Sequence, residues 1–197
     1  MKIRYNAPVT LTFALAAAVI LLIDQAAESF IISTFAVPGK SGFEFSNFSD
    51  YLRILLHPLG HADWTHLLSN FAFILLLGPI LEEKYGSLRV LVMMIITAFV
   101  TGILNALFFP HGLMGASGIV FMMILLISFT NIRQGEIPIT FILIVLIYLA
   151  REIINSVQEN TISEFAHIMG GICGSLFGFT APRTPPQTPQ VKDSADS

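Results

Sequence analysis

The apolar residues of this chain fall into six blocks, roughly Pro8–Ile23, Trp64–Leu81, Leu88–Phe109, Gly115–Thr130, Ile137–Ala150 and Phe165–Pro182. A helix needs about 20 residues to cross a hydrocarbon core of about 30 Å. In that medium only helices and closed barrels satisfy their own backbone polar groups. The blocks therefore fix the class: an all-α, polytopic membrane helix bundle with six transmembrane helices. The chain is 54% hydrophobic and only 12% charged, against about 25% charged in soluble domains. A basic start (Lys2, Arg4) before the first block would also suit a secretory signal. No small-x-small cleavage site follows Ile23, so the block reads as an uncleaved span.

Six spans put both termini on one side. Lys2, Arg4, Lys84, Arg89, Arg133, Arg183 and Lys192 then share that side, and Lys40, Arg53 and Arg151 face the other. The excess of positive charge predicts cytoplasmic termini for an integral, multi-pass protein of a cell membrane, such as a bacterial inner membrane. Residues 1–182 form the membrane domain, and the Pro-rich stretch 183–197 reads as a disordered cytoplasmic tail. The long connection at about 26–63 carries Phe43, Phe45, Phe48, Tyr51, Leu52, Leu55 and Leu56 among polar residues. Short helices in the outer interface suit it, and so does an ordinary amphipathic loop. The single cysteine, Cys173, excludes an internal disulfide and any Cys-based metal cluster. It reads as a packing residue.

Parity brings the unusual polar residues together. Spans two, four and six all begin on the outer side. His57, His61, His66 and Asn70 lead into span two, Ser117 opens span four, and His167 opens span six. Ionisable groups inside a membrane are rare and usually functional. From Ser117 to Thr130 span four has 14 residues, about 20 Å of helix. It is too short to fill the core, so Ser117 would lie beneath the outer surface in a water-reachable pocket. His66 and Asn70 are four apart and share a helix face. Gly170 and Gly174, with the small residues Gly115, Ala116 and Gly118, would let spans four and six pack closely. Ser117 would then come within reach of His167 as a nucleophile with its base. His66, Asn70 and the backbone N–H of Ser117 would supply the donors that acyl transfer needs at the developing oxyanion.

These residues resemble those of the rhomboid family of intramembrane serine proteases. The chain has His57-x3-His61-x4-His66-x3-Asn70, then Gly115-Ala116-Ser117-Gly118, then Ala166-His167 with Gly170 and Gly174. Glu82 matches a glutamate of the family's cytoplasmic turn and Arg53 an arginine of its outer loop. The resemblance runs from about Arg53 to Phe179. It implies a six-helix fold, a Ser117–His167 dyad, an oxyanion hole of His66, Asn70 and the Ser117 N–H, and span five as a lateral gate. Phe121 stands where some bacterial members have a tyrosine, and Leu52 replaces an outer-loop aromatic.

Taken singly, the same residues have plainer readings. A Gly-flanked serine is usually a packing residue, and His57 and His61 read as structural or outer-pocket groups. Three histidines suggest zinc, but no carboxylate completes a ligand set and no His-Glu-x-x-His motif occurs. Glu164 reads as a solvated boundary residue, with a third triad member as the alternative. Asn105 reads as a helix–helix hydrogen bond. The expectation is a protease of transmembrane proteins in the bilayer, with no metal, cofactor or nucleic acid. A non-catalytic rhomboid-like binder of transmembrane clients is the alternative. A histidine proton relay in a small transporter would predict an inverted repeat, and none is seen.

Overall fold

The computed structural model describes residues 4–26, 30–129 and 164–181, with residues 139, 142, 143, 146 and 147. Its elements are α1 (Pro8–Asp24), α2 (Phe30–Phe35), α3 (Phe48–Leu56), a 3₁₀ turn (His57–Leu59), α4 (Trp64–Tyr85), α5 (Ser87–Phe108), α6 (Ser117–Phe129) and α7 (Glu164–Thr180). The architecture is all-helical. Among the described residues no strand forms, and β pairing is confined to an isolated bridge between Val37 and Leu113.

Of the six expected spans, α4 and α5 are long and apolar enough to cross a membrane by length and composition. The α1, α6 and α7 helices are apolar but shorter. Most of the fifth block, Ile137–Ala150, lies outside the described residues, as does the tail 183–197. The connection at 26–63 does carry short helices, α2, α3 and the 3₁₀ turn.

Local chemistry sets the ends that matter. Pro8 sits in the first turn of α1, and the N-cap, Ala7, offers no side-chain acceptor. The Glu82 carboxylate, at the far end of α4, takes that role. It accepts from Thr10 N–H (2.7 Å), the Thr10 hydroxyl (2.6 Å) and Val9 N–H (3.3 Å). A carboxylate at a helix N-terminus meets both orphan donors and the helix dipole. Gly78 admits Thr10 at the same crossing, since a Cβ there would stand 2.3 Å from its Oγ1. At the other end of α4, Asp63 caps the helix by accepting from His66 N–H at 2.7 Å.

The segment between α1 and α4 is knitted by polar contacts. Buried Asp50 accepts from Glu44 N–H (2.9 Å) and pairs with Arg53 (2.7 Å). Arg53 also donates to Ser33 C=O, tying α3 to α2. Gly102 lets α5 meet the Ile54 backbone of α3, with its ideal Cβ 2.7 Å from Ile54 O. The core gathers residues of α1, α4, α5, α6 and α7, among them Ile74, Leu81, Met122, Met123 and Leu126, all fully buried.

Candidate active site

The α6 and α7 helices meet backbone to backbone. A Cβ on Gly170 would stand 2.0 Å from Gly118 O, and one on Gly174 would stand 2.2 Å from Met122 O. A Cβ on Gly118 would stand 3.2 Å from Ala166 O. Both series advance by four residues in the same direction, so the helices run parallel and their N-terminal ends coincide. Ser117 and His167 each adjoin a member of the Gly118–Ala166 contact. The His167 ring stacks flat on Phe121, with centroids 4.4 Å apart and planes 1° apart. Phe121 lies one turn below Ser117 on the same face of α6. His167 is therefore carried to the Ser117 end of that face, and it is buried.

The turn before Ser117 has a conformation that glycine favours. Gly115 has φ of +110°, where side-chain-bearing residues are strained. A Cβ there would also stand 2.6 Å from His66 Cε1 and 2.7 Å from its Nε2. The His66 imidazole thus lies directly over Gly115, two residues ahead of Ser117. His66 Nδ1 accepts from Ala62 N–H at 3.5 Å. That tautomer puts the ring proton on Nε2, the nitrogen facing the turn. Ala116 is fully buried, and its C=O accepts from Val120 N–H at 3.0 Å. The Ser117 N–H therefore belongs to the first-turn donors that no carbonyl of the helix can meet.

Asn70 is buried and sends one amide hydrogen to His66 C=O at 3.0 Å. Sharing a face thus brings it back onto the His66 backbone, with a second amide hydrogen remaining. His61 packs edge-on against His66 with centroids 5.0 Å apart, and against Phe71 at 5.6 Å.

His57 and His61 lie outside the long helices and are almost wholly buried. Burial lowers both imidazoles to about 4, and for His61 the neighbouring His66 acts in the same direction. Both are neutral at ordinary pH. His57 Nε2 lies 3.2 Å from Ala98 O and 3.3 Å from Thr101 Oγ1, and His61 Nδ1 lies 3.4 Å from Leu59 O. Among the described residues no group of three or more His, Cys, Asp or Glu is arranged to hold a metal.

Sequence reasoning missed how the loop before Ser117 is held. Val37 and Leu113 exchange both backbone hydrogen bonds (2.9 and 3.0 Å), and Lys40 N–H donates to Phe109 O at 2.8 Å. Gly115 N–H donates to His57 C=O at 3.0 Å. Asn105, read as bonding another helix, instead donates to His111 O in this loop at 3.0 Å. The side chain of Glu164 lies outside the described residues.

The family described as Rhomboid domain matches residues 49–184. The chain is 25% identical over 134 residues to Rhomboid protease GlpG of Haemophilus influenzae, covering 66% of this chain and 70% of that one. It is 32% identical over 127 residues to RHOMBOID-like protein 4 of Arabidopsis thaliana, covering 60% of this chain but only 31% of the plant protein. Rhomboid-like protein 11, chloroplastic, of the same plant is 24% identical over 157 residues, covering 71% of this chain and 56% of that protein.

Proposed function

The chain belongs to the rhomboid family, and from that premise we propose that it is an intramembrane serine endopeptidase with Ser117 as nucleophile and His167 as its base. The observation that supports this reading is the parallel α6–α7 contact, with His167 stacked on Phe121 one turn from Ser117. In the proposed reaction His167 takes the hydroxyl proton as Ser117 Oγ bonds to the carbonyl carbon. The negative charge on the carbonyl oxygen is met by His66 Nε2–H, the free amide hydrogen of Asn70 and Ser117 N–H. The C–N bond then breaks, and the proton passes from His167 to the leaving amine. Water, deprotonated by the same imidazole, cleaves the acyl-enzyme and regenerates Ser117.

The substrates are transmembrane proteins, cut near the outer leaflet. Six helices cross the bilayer with both termini cytoplasmic, residues 1–182 forming the membrane domain and 183–197 a cytoplasmic tail. Small residues or proline near the cut favour a substrate, because its backbone must unwind to reach Ser117. Fluorophosphonate labelling tests the reading. Wild type reacts, Ser117→Ala does not, and His167→Ala reacts far more slowly. Equal labelling of wild type and Ser117→Ala would remove the nucleophile. A wild type that takes no label would favour a non-catalytic binder of transmembrane clients.

A further inference from the structure

His57 and Thr101 lie at the two ends of the turn that delivers Ser117, and neither takes part in the proposed reaction. His57 C=O accepts the Gly115 N–H at 3.0 Å, which fixes the start of the Gly115–Gly118 turn. Thr101, fully buried on α5, touches the other end: a Cβ on Gly118 would stand 3.2 Å from Thr101 Cγ2. The two residues also meet, His57 Nε2 lying 3.3 Å from Thr101 Oγ1 and 3.2 Å from Ala98 O. The Thr101 hydroxyl donates to Thr97 O at 2.8 Å, so its lone pairs face the His57 ring. Nε2 of His57 is then the N–H, shared between Thr101 Oγ1 and Ala98 O. His57 Nδ1 is buried without a hydrogen-bond partner among the described residues.

We infer that His57 and Thr101 form a positioning bracket that holds the Gly115–Gly118 turn against α5, and so sets where the Ser117 hydroxyl and N–H point. The bracket has a fixed side, the α5 backbone through Ala98 and Thr97, and a carried side, the turn. Neither residue approaches the reacting atoms in this role. Its kinetic part rests on the reading of Ser117 as nucleophile; its geometric part does not.

The test pairs fluorophosphonate kinetics with hydrogen exchange of the segment 109–118 in detergent-solubilised, full-length protein. Thr101→Val keeps the shape and removes the oxygen that His57 meets. It is expected to slow bond formation to Ser117 about two- to tenfold, the loss of one neutral hydrogen bond, with reversible probe binding unchanged and Tm lowered by no more than a few degrees. Thr101→Ser restores the wild-type rate. His57→Ala slows labelling about 100-fold, the scale of a misplacement of about 1 Å. Adding Thr101→Val to His57→Ala costs little more, because the two act as one unit. In Thr101→Val and His57→Ala alike, exchange in 109–118 speeds up. Should His57→Ala fail to fold, Thr101→Val and Thr101→Ser decide. Wild-type rates and exchange in Thr101→Val would overturn the bracket. Faster exchange in the variants of a protein that never labels would leave the bracket standing and remove the nucleophile.

Discussion

Replacing Gly170 with alanine puts a methyl group 2.0 Å from Gly118 O. Ordinary contact begins near 3.4 Å, so the helices must part by about 1.4 Å or tilt, since neither backbone can yield as a side chain would. Overpacking of this kind costs about 1–3 kcal/mol, partly offset by up to about 1 kcal/mol of helix propensity. In a chain of this size the remainder lowers Tm by up to about 12 °C. The kinetic effect is larger. The parting falls at Gly118, next to Ser117, and a shift of about 1 Å between reacting groups costs about 100-fold. Gly171→Ala is the control on the same helix, because its methyl group would meet Leu125 Cγ at an ordinary 3.7 Å. In fluorophosphonate labelling and thermal unfolding, Gly170→Ala is expected to be slow and less stable, and Gly171→Ala close to wild type in both. Wild-type labelling by Gly170→Ala would refute the view that backbone contact between α6 and α7 sets the site.

Gly115→Ala forces a residue with a side chain to hold φ of +110° and pushes the His66 ring aside. Labelling is expected to fall by about 100- to 1,000-fold, the range for losing an oxyanion donor or its alignment, and a wild-type rate would count against His66 as that donor. His57 and His61 are neutral when folded, with pKa about 4 against 6.5 for the free side chain. Their contribution is therefore fully present above pH 6.5 and is lost as pH falls towards 4, by up to about 3 kcal/mol each. Tm measured from pH 7.5 to 4 should fall through that window, and less steeply in His57→Gln. Glu82→Gln leaves the α1 N–H groups with a weaker acceptor and should cost about 1–3 kcal/mol, read as a lower Tm with the labelling rate of the remaining folded protein unchanged.

The helices were legible because hydrophobic length is a property of single segments. The starts of α1 and α4 fall at Pro8 and Trp64, where the first two apolar blocks begin. The close packing of α6 on α7 was legible through the four-residue spacing of Gly170 and Gly174. What the sequence hid were contacts between segments far apart in the chain. Nothing in the local pattern says that Val37 pairs with Leu113, that Asn105 turns to a loop carbonyl, or that His57 reaches α5. Backbone groups carry these contacts, and backbone groups are the same at every position. In the sequence Thr101 is one of several small residues of α5. Only its neighbours, His57 and Gly118, distinguish it.

The region matched by the family begins at residue 49, beyond the end of α1, yet α1 is bonded to Glu82 inside that region. A truncation that kept only the matched residues would remove the three donors that Val9 and Thr10 give to Glu82. The first helix lends its positive end to the last turn of α4.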